Sequence, residues 1–235
     1  MLRRCRVGGG ASHRYSAFAA VLKHWILAGS LILALISSLP GPAAAAEARA
    51  AAFRLLVLGD SLTAGYGLAA EEAFPVQLQA ALKNGGVDVL VINAGVSGDT
   101  TAGGLSRIDW ALADKPTHVI VELGANDALR GIDPKTTRRN LDAIIAKLQS
   151  AGVKTMLAGM YAPPNWGRDY EAEFRSIYPD LARQYRIGLY PFFLDGVAAR
   201  PTLNQADGIH PNKKGVAVIV GRMLPSVRRL LGAKE

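Results

Sequence analysis

The hydrophobic residues of the chain fall into five short runs rich in Val, Leu and Ile, separated by longer polar or glycine-rich stretches. Each run is nearly continuous rather than alternating, which is typical of strands buried on both faces of a parallel sheet. The pattern predicts strands at five places: Phe53–Gly59, Val87–Asn93, His118–Leu123, Val153–Met160 and Ile187–Phe192.

Between these runs the apolar residues change to helical spacing. In Thr136–Ala151 the positions Leu141, Ile144, Ile145 and Leu148 form one stripe, with Gly152 just beyond the end. The same reasoning predicts four helices, two of them interrupted by Pro179 or Pro225: Phe74–Asn84, Thr136–Ala151, Glu171–Tyr185 and Gly215–Leu231. Strands that alternate with helices indicate an α/β fold, here a three-layer αβα sandwich around a five-stranded parallel sheet.

The first 46 residues have the pattern of an export signal. Five basic residues and no acidic residue are followed by Trp25–Leu39, fifteen residues without a charge, and then by the small residues Ala43–Ala46. This order predicts a signal peptide over residues 1–46 that is cleaved after Ala46, a short linker over 47–52 and one domain over 53–235. The protein is then periplasmic or secreted. The alternative is an uncleaved anchor, in which case the leader makes the only membrane contact.

Composition narrows the chemistry of the remaining chain. The formal charge of +8 arises largely from the leader, since residues 47–235 hold 22 basic and 19 acidic residues, and a nucleic-acid partner is not expected. The single Cys lies in the leader, which excludes a cysteine nucleophile, a disulfide and a thiolate metal site from the domain. Two histidines remain. His118 opens an apolar strand and is expected to be structural, which leaves His210 as the candidate imidazole.

Polar, glycine-rich segments follow three of the predicted strands, and a fourth precedes the last helix. Ligands of open parallel sheets bind outside the carboxyl ends of the strands, so these segments are expected to converge on one site. The segments are Gly59–Gly67, Asn93–Thr100, Gly124–Asp127 and Asp207–Pro211.

These segments contain the residue types that acyl transfer needs. Ser61 lies on a tight turn after a buried strand, and His210 is the imidazole that can activate it. Asp207, three residues before His210, can orient the ring. The backbone N–H groups of Ser61 and Gly98 and the carboxamide of Asn126 are candidate donors to the oxyanion that develops in such reactions. The sequence therefore predicts a serine hydrolase.

Four blocks of the chain resemble those of the GDSL, or SGNH, hydrolase family. The resemblance covers roughly residues 54–231 and is strongest to the bacterial multifunctional esterase branch, which includes arylesterases, thioesterases and lysophospholipases. The matching blocks are Gly59-Asp60-Ser61-Leu62, Gly98, Gly124-Ala125-Asn126-Asp127 and Asp207-Gly208-Ile209-His210. Ala125 stands where close relatives often carry a second glycine. The Gly-x-Ser-x-Gly elbow of ordinary α/β-hydrolases is absent from the sequence.

The resemblance implies a flavodoxin-like sheet, Ser61 as nucleophile, Asp207 and His210 as its partners, and Gly98 and Asn126 in the oxyanion hole. It implies no cofactor and no metal. We expect a monomer that hydrolyses small acyl esters or lipid-like esters, whether aryl, short or medium acyl or lysophospholipid, and also thioesters.

The segment after the fourth strand is expected to bind the acyl chain. Met160–Gly167 is apolar and turn-rich, and Ala162 and Pro163 are the candidate substrate-binding residues within it. Ala128–Asp133 resembles a mobile loop of the family and can contribute to the same groove. Two alternatives remain open at this point: an esterase that removes O-acetyl groups from carbohydrates, and a non-catalytic, flavodoxin-like binding module.

Overall fold

A computed structural model of the chain describes residues 51–233. The predicted signal peptide, residues 1–46, lies outside the described residues, as do positions 47–50 of the predicted linker and the last two residues. In the part of the chain that is described, no helix combines the length and the apolar character that crossing a bilayer requires.

Five parallel strands form one sheet in the order β2-β1-β3-β4-β5. This confirms the predicted α/β fold and its flavodoxin-like sheet, because 2-1-3-4-5 is the flavodoxin strand order. Every predicted strand is present, although β2 lies two residues later than predicted and β3, β4 and β5 are shorter than predicted. The bounds are β1 Phe53–Gly59, β2 Val89–Gly95, β3 His118–Glu122, β4 Lys154–Ala158 and β5 Gly188–Tyr190.

The central strands are buried along their whole apolar length. In β1 the four residues from Leu55 to Leu58 have no exposed surface, and every residue of β3 is buried. Consecutive side chains of a strand point to opposite faces, so both faces of the sheet must be covered. This double burial explains why the sequence shows continuous apolar runs.

Eight α-helices are found among the described residues, and the longer ones cover the two faces of the sheet. Helix α2 packs against α8 and β2, while α6 packs against α3 and α7. The bounds are α1 Ser61–Ala64, α2 Phe74–Asn84, α3 Thr101–Ser106, α4 Ile108–Ala113, α5 Ala125–Leu129, α6 Pro134–Ser150, α7 Arg168–Tyr185 and α8 Lys213–Leu231.

Except for α2, the predicted helices begin two or three residues too late, and polar caps account for the earlier starts of α6 and α8. The Asp133 side chain accepts the N–H of Lys135 and starts α6 at Pro134, a residue favoured in the first turn. The Asn212 side chain accepts two N–H groups at the start of α8 in the same way. Pro179 and Pro225 lie inside their helices rather than ending them.

The topology places a crevice at the carboxyl ends of β1 and β3. From β1 the chain first moves to one side to form β2, and it then returns past β1 to form β3, β4 and β5. Loops on the two sides of such a reversal diverge, which leaves space for a ligand between them. Ser61 follows β1 and Asn126 follows β3, so two of the predicted site residues lie at this crevice.

Candidate active site

A hydrogen-bonded chain joins three of the predicted catalytic residues. The Nε2 atom of His210 lies 3.0 Å from Oγ of Ser61, and the Nδ1 atom lies 2.7 Å from a carboxylate oxygen of Asp207. Ser61 and His210 are 149 positions apart in the sequence, so only the fold brings them together. This linear arrangement of hydroxyl, imidazole and carboxylate is that of a serine hydrolase triad.

Asp207 is held in its ionised form. Its Oδ1 accepts the backbone N–H groups of Ile209 and His210, each at 3.0 Å, and its Oδ2 faces the imidazole. These bonds, above all the backbone N–H of His210 and then its ring, lower the pKa of Asp207 to about 2. An ionised carboxylate only accepts hydrogen bonds, so Nδ1 of His210 carries a proton. In the neutral ring Nε2 is therefore free to accept the proton of Ser61.

The turn that presents Ser61 depends on close packing at Gly59. A Cβ on Gly59 would lie 2.1 Å from the hydroxyl of Thr63 and 2.7 Å from the carboxylate of Glu122. Asp60 then caps α1, because its Oδ1 accepts the N–H of Leu62 at 2.9 Å. Ser61 is the first residue of that helix, so its own N–H has no acceptor within the helix.

Asn126 is oriented by Asp60. Its Nδ2 donates to Oδ2 of Asp60 over 3.1 Å, which uses one of the two amide hydrogens. The other hydrogen remains for a ligand, and Asn126 lines the same groove as Ser61 and His210. Asn126 thus reaches the site as the sequence predicts.

Gly98 lies on the loop after β2 and is not among the residues that line the groove. It adopts a left-handed conformation with φ of +83°, which favours glycine. Its carbonyl accepts a hydrogen bond from Arg130 over 2.9 Å, and its N–H has no acceptor among residues 51–233. A free N–H on this turn fits the predicted oxyanion role.

An apolar groove of about 360 Å³ opens at Ser61. Ala162 and Pro163 line it, as predicted, together with Leu129 from the predicted mobile loop. Tyr161 and Phe192 stack in its wall with ring centroids 4.2 Å apart. A second, shallower depression of about 550 Å³ lies at the amino ends of β4 and β5, at the end of the sheet opposite to Ser61.

Two buried carboxyl groups behind Ser61 were missed by sequence reasoning. Asp60 and Glu122 have no exposed surface, and Glu122 accepts the hydroxyl of Thr63 at 2.8 Å. Burial raises the pKa of Asp60 to about 6, and burial together with the charge of Asp60 raises the pKa of Glu122 well above its usual range. A glutamate inside an otherwise apolar strand is the sequence signal that could have pointed to them.

Tyr66 was also missed as a neighbour of the imidazole. Its ring lies over His210 with the centroids 4.7 Å apart. Gln205 links the two loops, because its side-chain amide donates to the carbonyls of Tyr66 and Pro211. The loop that carries His210 is thus fixed against the loop that follows Ser61.

Comparison with known families agrees with this geometry. Residues 57–218 match the model of the GDSL-like Lipase/Acylhydrolase family, a range that includes Ser61, Gly98, Asn126, Asp207 and His210. The chain belongs to this family. As a member it is an acyl hydrolase, a serine enzyme that acts on ester bonds, and the alternative of a non-catalytic binding module is set aside.

Characterised relatives cover most of the chain. Esterase TesA of Pseudomonas aeruginosa is 39% identical over 207 residues, which are 88% of this chain and 98% of TesA. An arylesterase of Vibrio mimicus is 44% identical over 159 residues, covering 67% of this chain and 80% of its own length. The thioesterase 1/protease 1/lysophospholipase L1 of Escherichia coli K12 is 39% identical over 183 residues, 77% of this chain and 86% of the relative.

Solved structures show the same architecture. A crystal structure of TesA superposes with a TM-score of 0.72 at 40% identity, covering 75% of this chain and 99% of TesA. The esterase EstA from Pseudoalteromonas sp., in a structure inhibited by monoethylphosphonate, gives a TM-score of 0.73 at 39% identity, with 76% of this chain and 98% of EstA covered.

Proposed function

We propose that this protein is an exported serine esterase that hydrolyses carboxylic esters through an acyl-Ser61 intermediate. The observation that carries the proposal is the chain of hydrogen bonds from Ser61 through His210 to Asp207, at the edge of an apolar groove. Its substrates are aryl esters, esters of short or medium acyl chains, or lysophospholipids. Thioesters are a further substrate class, since a relative is named a thioesterase and lysophospholipase.

The geometry supports a two-step acyl transfer. Nε2 of His210 takes the proton of Ser61 as Oγ forms a bond to the acyl carbon, and the carbonyl oxygen becomes an oxyanion. The N–H groups of Ser61 and Gly98 and the amide of Asn126 stabilise this oxyanion. His210 then gives its proton to the leaving alcohol or thiol as that bond breaks. Water attacks the acyl-enzyme by the same route and releases the acid.

Asp207 remains a carboxylate throughout this sequence. Its low pKa means that it accepts no proton from the imidazolium, and its negative charge stabilises the positive ring beside it. The ring-to-carboxylate contact also keeps Nε2 directed at Ser61.

The groove favours small acyl groups. Ligand pockets span about 300–1,000 Å³, and a groove of about 360 Å³ lies at the lower end of that range. Its lining near Ser61 is formed by side chains such as Met160, Leu194 and Ile209, which offer an acyl chain apolar contacts. Ala162 is almost fully buried in the wall of the groove, and its small side chain helps to determine how deep the groove is.

A series of aryl esters with increasing acyl length tests the substrate class. We expect kcat/KM to rise from acetate to medium chains and to fall for long chains, with Ser61→Ala inactive on all of them. Lysophospholipid, an acyl thioester and an O-acetylated sugar complete the panel. A preference for the acetylated sugar by more than about tenfold, or 1.4 kcal/mol, would favour the carbohydrate esterase instead.

A variant of the groove wall tests the assigned binding site. Ala162→Leu adds volume to the groove, so we expect a larger loss of kcat/KM for medium chains than for acetate. Ala80→Leu, on the exposed face of α2, is the matched control and should leave the profile unchanged. Equal losses at every chain length in Ala162→Leu would contradict the assignment.

Export and oligomeric state have direct tests. We propose cleavage after Ala46, so the amino-terminal sequence of the secreted or periplasmic protein should begin at Glu47. Recovery of the protein with its first residues intact in the membrane fraction would indicate the anchor instead. We also propose that the domain is a monomer, which sedimentation measures directly.

A further inference from the structure

Arg107 connects the segments that carry the nucleophile and the Gly98 turn. It lies between α3 and α4, and its side chain is only 16% exposed. Its Nη2 donates to the carbonyl of Gly59 over 2.9 Å, and its Nη1 donates to the carbonyl of Ala94 over 2.8 Å. These carbonyls lie at the carboxyl ends of β1 and β2, so one guanidinium joins the ends of two strands.

The third contact reaches the turn that carries Gly98. Nε of Arg107 donates to a carboxylate oxygen of Asp99 over 2.6 Å, and Asp99 directly follows Gly98. In a mostly buried position, a charge-assisted hydrogen bond between an arginine and a carboxylate is strong, and the planar guanidinium fixes the orientation of both side chains. The far end of the turn is thereby held in place.

The near end of the turn is tied to the same network. The N–H of Val96 donates to the carbonyl of Gly59 over 3.0 Å, the carbonyl that Arg107 also binds. The N–H of Asp99 then closes the turn on the carbonyl of Val96, again over 3.0 Å. Gly98 therefore lies in a four-residue loop whose two ends are both linked to Arg107.

Two further contacts support this region: Arg130 donates a hydrogen bond to the carbonyl of Gly98 over 2.9 Å, and the end of β2 packs closely against the helix that begins at Ser61. A Cβ on Gly95 would lie 2.3 Å from the N atom of Ala64, so the end of β2 contacts the helix that begins at Ser61 directly. Backbone contact, the Arg107 guanidinium and the hydrogen bond from Arg130 together restrict the separation between Ser61 and Gly98.

We propose that Arg107 is a positioning residue of the oxyanion hole, which fixes the N–H of Gly98 relative to Oγ of Ser61. The inference rests on the proposed function, because it assumes that Gly98 stabilises the oxyanion. Arg107 lies outside the groove lining and acts through Asp99 and the two carbonyls. Lysine cannot replace it, since one ammonium group cannot reach three acceptors that the planar guanidinium serves together.

The variant Arg107→Lys tests this role through the separation of kcat from KM. A misplaced oxyanion donor weakens binding of the transition state while the groove still binds the ester. We expect kcat for an aryl ester to fall by about tenfold to hundredfold, the range seen when supporting residues are lost, with KM changed by less than about threefold. Asp99→Asn should lower kcat in the same direction but less.

A double variant separates this role from a general loss of order. If Asp99 and Arg107 act as one unit, Arg107→Lys combined with Asp99→Asn should have the same kcat as Arg107→Lys alone. Arg54→Lys is the matched control. Arg54 is part-buried and also binds a backbone carbonyl, that of Asp114, but it lies at the amino end of β1, away from the active site. This variant should keep the wild-type kcat.

Two results would overturn the proposal. One is a folded Arg107→Lys enzyme with wild-type kcat, and the other is an equal loss of kcat in Arg54→Lys. If Arg107→Lys does not fold, an unchanged kcat in Asp99→Asn has the same meaning. Ser61→Ala is assayed alongside, and full activity in that variant would show instead that the proposed function itself is wrong.

Discussion

Two aspartates near Ser61 differ in pKa because their surroundings differ. Asp207 accepts two backbone N–H groups and the imidazole on the surface, which lowers its pKa to about 2. Asp60 is fully buried next to Glu122, and loss of solvent raises its pKa to about 6. Asp207 therefore supplies a permanent negative charge to His210, whereas Asp60 serves as the hydrogen-bond acceptor that orients Asn126.

Asn126→Ala tests the side-chain donor of the oxyanion hole. We expect kcat to fall by about 10²–10³, the usual effect of removing one such donor, while KM changes little. Steady-state kinetics with an aryl ester measures both constants. Asn140→Ala is a suitable control, since Asn140 also donates its amide to a side chain, that of Thr101, but lies outside the groove. An Asn126→Ala enzyme with near-wild-type kcat would remove Asn126 from the mechanism.

Asp207→Asn tests the role of the carboxylate. The amide can still contact Nδ1, but it can stabilise the wrong tautomer and it supplies no charge to the imidazolium. We expect kcat to fall by about 10⁴, as found for the corresponding change in a known serine protease. The loss should persist from pH 5 to pH 8, because the wild-type carboxyl is already ionised throughout that range. Recovery of activity at higher pH would argue against this reading.

At the level of elements, burial explains both what the sequence predicted and what it did not. The buried strands were found because both faces of the sheet are covered, as at Leu55–Leu58. The helices α1, α3, α4 and α5 were missed because four to six residues are too few to show a helical period. Pro179 and Pro225 blurred the pattern, yet the long apolar faces of α7 and α8 outweigh the local cost of proline.

His118 gives strand β3 a pH-dependent contribution to stability. Its ring is buried against Phe53, its Nδ1 contacts the hydroxyl of Thr117, and its Nε2 has no partner among the described residues. Burial, and then the charge of Lys154, lower the pKa of His118 below 6.5. The unfolded chain therefore takes up this proton at a higher pH than the folded one. His118 consequently makes the free energy of unfolding decrease as pH falls below about 6.5.

His118→Gln should remove this component. Urea unfolding at pH 7.5 and pH 5.5 measures the free energy of unfolding under the two conditions. On going from pH 7.5 to pH 5.5, wild type should lose more stability, or gain less, than the variant. The comparison between variants is needed because Asp60 and Glu122, whose pKa values are raised, act in the opposite direction. Identical pH profiles in the two proteins would contradict the account.

For the whole molecule, strand order determines how distant residues meet. All five strands are parallel, so the motifs after β1 and β3 and the loop before α8 lie at the same end of the sheet. The order in which strands are added changes direction at β1, which opens the crevice where these segments meet. The types and the chain order of Ser61, Asn126 and His210 were therefore enough to predict their meeting. Arg107 was not predictable, because its two carbonyl partners belong to the backbone and leave no mark in the sequence.

The central claim is that Ser61 is the nucleophile activated by His210. The most direct measurement is reaction with a p-nitrophenyl alkylphosphonate, followed by peptide mass analysis, a choice supported by the relative EstA, whose structure is of a phosphonate-inhibited form. We predict one adduct per molecule, on the peptide that contains Ser61, no adduct in Ser61→Ala and strongly slowed labelling in His210→Ala. An adduct on another residue, or ester turnover that Ser61→Ala leaves unchanged, would contradict the account.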